Sequence, residues 1–139
     1  MSAVKPAATT GTALVLVVED DPDIRQAMAE LLQDEGYECL LAQHGVDALE
    51  ILDHHRPSLL LVDLLMPVMN GVELIARVRG DGRWSDLHIV VMTAAGERII
   101  GVDLDSLKLP VLRKPVDVAS LSAMLARHAG VHTEASQGA

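Results

Sequence analysis

Five polar residues of this sequence stand where apolar runs end, and their types suit chemistry assisted by a cation. Glu19 and Asp20 follow LVLVV, Asp63 follows LLLV, Thr93 follows IVVM and Lys114 follows VLR. Because open α/β sheets bind ligands at the carboxyl ends of their strands, we expect these side chains to converge at one edge of a sheet. Carboxylates brought close together repel one another unless a cation lies between them. Oxygen ligands without His or Cys favour Mg²⁺ over zinc.

With such a cation in place, Asp63 can act as a carboxylate nucleophile, and an aspartyl phosphate is a known product of that chemistry. The metal and the Lys114 ammonium would spread the charge of a transferring phosphoryl group. The Thr93 hydroxyl could donate to a further phosphoryl oxygen. The sequence therefore predicts catalytic roles for Asp63, Thr93 and Lys114.

Short apolar runs alternate with stretches of helical period, which indicates repeated strand and helix units around a parallel sheet. The chain is thus predicted to be an α/β protein with strands at 14–18, 38–42, 59–62, 89–92 and 110–112. Asp21 and Pro22 predict the start of the first helix, and Gly36 predicts its end. Further helices are predicted at 46–54, 72–79 and 118–128. Residues 96–107 contain two glycines and lack clean periodicity, which predicts one turn or a loop.

Length and composition restrict the class of protein. The chain has 139 residues, of which 50% are hydrophobic and 22% charged, as expected for one folded domain. We place that domain at 13–129, between flexible tails at 1–12 and 130–139. The net charge of −9 repels phosphate backbones and anionic lipid heads, so neither nucleic acid nor a membrane is expected as a direct partner. A single cysteine, Cys39, and the lack of any apolar run of membrane-spanning length favour a cytoplasmic protein.

Four motifs in a fixed order resemble those of receiver domains of two-component response regulators, typified by the bacterial chemotaxis response regulator. They are VLVVEDDPDIR (15–25), LLLVDLLMPVMNG (59–71), VVMTA (90–94) and VLRKP (111–115). The resemblance implies a flavodoxin-like (βα)₅ fold, with a doubly wound sheet of five parallel strands in the order 2-1-3-4-5. It also implies phosphorylation of Asp63 by the phosphohistidine of a sensor histidine kinase or phosphotransfer protein.

The resemblance further implies a metal site and a role. Mg²⁺ would be bound by Asp20, Asp63 and the carbonyl of Leu65, and Glu19 matches the family's water-mediated acidic position. The protein would be a phosphorylation-dependent switch for a downstream protein target, a monomer or weak homodimer. It would catalyse only its own phosphorylation and dephosphorylation.

The sequence also departs from the family. Val111 stands where Tyr or Phe is usual, three residues before the lysine of the last strand. SLKLP (106–110) replaces the small Gly-Ala pair that usually precedes that strand. The surface around the fourth helix and fifth strand, which commonly carries output, is therefore expected to differ.

Three other interpretations remain open at the level of sequence. The chain could be a receiver segment of a larger hybrid histidine kinase or multidomain regulator. It could be a protein-binding module that does not depend on phosphorylation, in view of Val111. An enzyme of the haloacid dehalogenase type also uses a Mg²⁺-assisted aspartate, but it needs a second acid two residues after the nucleophile, where Leu65 stands.

Overall fold

Five parallel strands form the central sheet of the protein, whose computed structural model describes residues 13–64, 66, 69–94 and 108–128. The strands are β1 (Leu14–Val18), β2 (Glu38–Ala42), β3 (Leu59–Asp63), β4 (His88–Ala94) and β5 (Val111–Lys114). Their order in the sheet is β2-β1-β3-β4-β5, and every pair of neighbours is parallel. The predicted strand number, direction and order are confirmed.

Three of the predicted helices precede β4, and one follows β5. They are α1 (Pro22–Asp34), α2 (Gly45–Leu52), α3 (Gly71–Arg79) and the C-terminal helix (Val118–His128). As predicted, Asp21 caps α1, because its Oδ1 accepts hydrogen bonds from the backbone N–H of Asp23 at 2.9 Å and of Ile24 at 3.2 Å. Gly36 follows the end of α1 with φ at +92°, a conformation that glycine adopts without strain. The prediction for residues 96–107 lies outside the described residues.

Two apolar layers cover opposite faces of the sheet. One layer packs the sheet against α2 and α3, through residues such as Leu16, Leu60 and Leu74. The other packs it against α1 and the C-terminal helix, and Leu32 and Leu125 lie in it. Burial on both faces explains why β1 and β3 are continuous apolar runs rather than alternating ones. None of the described helices has the length and apolar character needed to cross a bilayer.

Candidate functional site

The first part of the site is the turn that follows β1. The backbone N–H of Glu19 donates to the carbonyl of Ala42 at 3.0 Å, which extends the pairing of β1 with β2 by one step. The Glu19 side chain is only 1% exposed, and its Oε2 accepts a hydrogen bond from the Asp21 N–H at 3.1 Å. Burial raises the pKa of Glu19 and outweighs the lowering effect of Lys114. Asp20, the next residue, is exposed.

The second part is an ion-pair network between the ends of β1, β3 and β5. Lys114 Nζ donates to Asp63 Oδ2 at 2.9 Å and lies 2.9 Å from Glu19 Oε1. Burial alone would lower the pKa of Lys114, but the two carboxylates outweigh it and the net shift is upward. Lys114 is therefore positively charged at neutral pH and faces Asp63, which is 4% exposed.

Three carboxylates meet at this edge of the sheet. Glu19, Asp20 and Asp63 each offer one oxygen, and these oxygens lie within 4.8 Å of one another. Glu19 Oε1 is buried and makes no hydrogen bond with a described residue, although it lies beside the Lys114 ammonium. Three carboxylates and one ammonium leave the pocket with negative charge, which a divalent cation would balance. Hard oxygen donors around an open, exposed side fit Mg²⁺, which keeps several waters when bound.

Thr93 completes the set at the end of β4. It is 1% exposed. In the sheet register Asp63 pairs with Met92, and Thr93 pairs with Arg113, so Thr93 stands one step beyond Asp63 and one step before Lys114. The four strand ends predicted to converge therefore do so at the carboxyl edge of the sheet.

Two residues that contact the site were given no role in it at the level of sequence. The Gly71 N–H donates to Leu64 O at 2.9 Å, and a Cβ atom at Gly71 would lie 2.5 Å from the carbonyl oxygen of Asp63. Arg25 Nη1 donates to the backbone carbonyl of Glu19 at 2.8 Å. Arg25 is the last residue of the motif VLVVEDDPDIR, and Gly71 is the last residue of LLLVDLLMPVMNG. Membership of a motif was the only sequence signal for either contact.

Two other predictions concern the surroundings of the site. The carbonyl of Leu65, predicted as a metal ligand, lies outside the described residues. Val111 is half-buried and packs against the apolar layer on the α2 and α3 face, as does Leu109. The described part of the chain therefore has an aliphatic contact where an aromatic residue is usual in the family. The Lys114–Pro115 peptide bond is cis.

Comparison with known proteins identifies the class of protein that this fold and site define. Residues 15–126 match the family model described as "Response regulator receiver domain". The chain belongs to this family of signalling modules. Among curated relatives, the response regulator MprA of Mycobacterium sp. (strain KMS) is 38% identical over 92 residues, which are 64% of this chain and 39% of MprA. The chain thus spans well under half the length of that relative.

Solved structures agree with this assignment. The chemotaxis protein CheY4 of Vibrio cholerae superposes with a TM-score of 0.75 at 30% identity, over 84% of this chain and 98% of that one. The receiver domain of the sensor histidine kinase PA1611 of Pseudomonas aeruginosa PAO1 gives a TM-score of 0.75 at 25% identity, over 86% and 98% of the two chains. That structure has a magnesium ion coordinated in its active-site cleft.

Proposed function

We propose that this protein accepts a phosphoryl group on Asp63 from the phosphohistidine of a sensor histidine kinase or phosphotransfer protein, and that Mg²⁺ is required. The phosphorylated form is then a switch for a downstream protein. The observation that carries the proposal is the buried Asp63 carboxylate, which is held by Lys114 at 2.9 Å beside two further acids. A buried carboxylate nucleophile with a lysine ammonium held next to it is arranged to accept a phosphoryl group from a phosphorylated donor.

In the proposed step, an oxygen of the Asp63 carboxylate forms a bond to phosphorus while the bond from phosphorus to the donor's imidazole nitrogen breaks. The electron pair of the broken bond returns to that nitrogen. The Lys114 ammonium lies beside Asp63 Oδ2 and would donate to an oxygen of the incoming phosphoryl group as the carboxylate oxygen gives up its negative charge to the new bond. The buried Thr93 hydroxyl, at the same edge, would donate to another phosphoryl oxygen.

Asp20 and Asp63 are the residues that would bind Mg²⁺ directly, and the carbonyl of Leu65 is a further proposed ligand. Glu19 would contact the metal through a water molecule. Mg²⁺, when bound, neutralises phosphoryl oxygens and so lowers the barrier to transfer. Glu19 is positioned for an indirect role, because one of its oxygens already accepts from the Asp21 N–H and the other lies beside Lys114.

The switch would begin at Thr93 and Lys114. Phosphorylation replaces the single negative charge of the Asp63 carboxylate by the roughly two negative charges of an acyl phosphate. This added charge would attract both residues and reposition the segments that follow β3 and β4. Val111 of β5 has a small aliphatic side chain and pairs in register with Val91 of β4. The proposed signal to the downstream protein therefore does not use rotation of an aromatic ring at this position.

Magnesium dependence gives a direct test. We expect the protein incubated with acetyl phosphate and Mg²⁺ to gain the mass of one phosphoryl group, measured by intact-protein mass spectrometry. Addition of excess EDTA should abolish the gain, because the acids around Asp63 would then repel the incoming phosphate. No mass gain with Mg²⁺, or an equal gain with EDTA, would refute the proposal.

An apolar groove beside the site is the proposed docking surface for the phosphodonor. It measures about 530 Å³ and lies between α1 and the segment after β5, where Lys114 forms part of its wall. Other lining residues include Ile24, Ala27 and Leu31 of α1. Because the groove runs directly into the Lys114 end of the site, a protein seated there would bring its phosphohistidine to Asp63.

This docking predicts a selective defect. The exposed Ala27 changed to Glu would place a charge in the groove, and charged groups at an apolar interface are costly to desolvate. We expect the rate of transfer from an autophosphorylated histidine kinase, divided by the rate from acetyl phosphate, to fall about tenfold, which corresponds to about 1.4 kcal/mol for desolvating the new carboxylate on docking. An unchanged ratio would show that the donor docks elsewhere.

The same proposal places the protein in the cytoplasm, as a monomer or weak homodimer. A module that does not depend on phosphorylation would bind its partner equally with and without beryllofluoride, a mimic of the phosphoryl group.

A further inference from the structure

The turn that joins β1 to α1 carries two of the three carboxylates of the acidic site, and we propose that Arg25 is the residue that positions them. Its Nη1 donates a hydrogen bond of 2.8 Å to the backbone carbonyl of Glu19. Arg25 is half-buried in α1, and its own N–H donates to Asp21 O at 2.9 Å. This inference rests on the proposed function, because the site that Arg25 would organise is the proposed cation site.

The remaining hydrogen bonds of the turn show how completely it is fixed. At its start, Glu19 N–H bonds to Ala42 O, and within it the Asp21 N–H bonds to Glu19 Oε2. At its end, the Asp21 carboxylate caps α1. Among the described residues, Asp20 has the only side chain in this turn without a hydrogen bond or ion pair. The side chains of Glu19 and Asp21 are therefore fixed by bonds within the protein, and the Asp20 carboxylate is available to bind a ligand.

The carbonyl that Arg25 holds belongs to the peptide between Glu19 and Asp20. Its orientation therefore fixes the plane of that peptide, and with it the direction in which both side chains leave the backbone. Without the guanidinium, a partly buried carbonyl loses its donor and the peptide is free to rotate toward another partner. The oxygens of Asp20 and Asp63, now within 4.8 Å, would then no longer point at one place.

An electrostatic role and a positioning role of Arg25 predict opposite changes in Mg²⁺ affinity when its guanidinium is removed, which makes the proposal testable. A guanidinium near the site repels a cation, so a purely electrostatic role means that its removal strengthens Mg²⁺ binding. A positioning role means that its removal weakens Mg²⁺ binding, although a positive charge has been taken away. The sign of the change in affinity therefore separates the two roles.

The experiment is a calorimetric titration of Mg²⁺ into the whole protein and its variants, without phosphodonor. We expect Arg25→Met to bind Mg²⁺ about tenfold more weakly, the usual cost of losing a residue that orients metal ligands. Arg25→Lys keeps the charge and one donor, so its affinity should lie between those of Arg25→Met and the wild type. Gln26→Met is the matched control, because the Gln26 amide bonds to Glu30 at 3.3 Å on the exposed side of α1.

The outcomes distinguish this inference from the proposed function. Wild-type affinity in Arg25→Met, or a tighter one, would overturn the positioning role and leave the metal site intact. No heat of binding with the wild type would overturn the metal site itself, and the inference with it. If circular dichroism shows that Arg25→Met does not fold, Arg25→Gln and Arg25→Lys decide the question, and wild-type affinity in both would overturn the inference.

Discussion

Asp63→Asn is expected to abolish phosphorylation completely. The amide has nearly the size and shape of the carboxylate, but it lacks the negative charge and the nucleophilic oxygen that the proposed step requires. Intact-protein mass spectrometry after incubation with acetyl phosphate and Mg²⁺ should show the mass gain of one phosphoryl group in the wild type. The same treatment of Asp63→Asn should leave its mass unchanged.

The control for this substitution is Asp86→Asn, which also replaces an acid by an amide. Asp86 is exposed and lies in the turn before β4, at the amino end of the strand and away from the acidic site. It should be phosphorylated as fully as the wild type. An equal mass gain in Asp63→Asn and the wild type would place the phosphoryl group on another residue and refute the assignment of Asp63.

Gly71→Ala is expected to slow phosphorylation from acetyl phosphate about 100-fold, the scale of loss that a 1 Å displacement of a reacting group produces. The added methyl group would lie 2.5 Å from Asp63 O and 2.7 Å from Leu64 Cα, and both are backbone atoms of the segment that carries the nucleophile. Neither atom can turn away as the end of a side chain can. The clash must therefore be relieved by moving Asp63 or the start of α3.

Gly45→Ala is a matched control for this effect, because Gly45 also begins a helix and is also buried. There the three atoms nearest to the added methyl group would be Cγ, Sδ and Cβ of Met69, at 2.7 to 2.8 Å, and none of them is a backbone atom. Rotation of the flexible methionine side chain relieves the contacts at Cγ and Sδ, and the contact at Cβ is relieved by a small shift of Met69, which does not carry the nucleophile. We expect both variants to lose about 1–3 kcal/mol of unfolding free energy in urea, but only Gly71→Ala to lose most of its phosphorylation rate. Equal rates in the two folded variants would contradict a positioning role for Gly71.

The boundaries of the elements show where local signals were sufficient and where they were not. The bounds of β1 and β2 agree with the sequence pattern, but β5 begins at Val111 and not at Pro110. Proline has no N–H to donate to the ladder, although the Pro110 carbonyl still accepts from Val91 at 2.9 Å. Similarly, α2 begins at Gly45 because His44 Nδ1 caps it, accepting from the Asp47 N–H at 3.1 Å.

The sequence by itself determined the class of fold, the family and the residues at the ends of four strands. It could do so because apolar runs that end in polar residues are local patterns, and parallel strands carry such ends to one edge of a sheet. Only the tertiary structure decided that Lys114 lies 2.9 Å from both Asp63 and Glu19, that Glu19 is buried, and that Arg25 and Gly71 contact the backbone of the site. These facts depend on the register between strands and the placement of helices against the sheet. Both are set by packing between segments far apart in the chain, which no local pattern encodes.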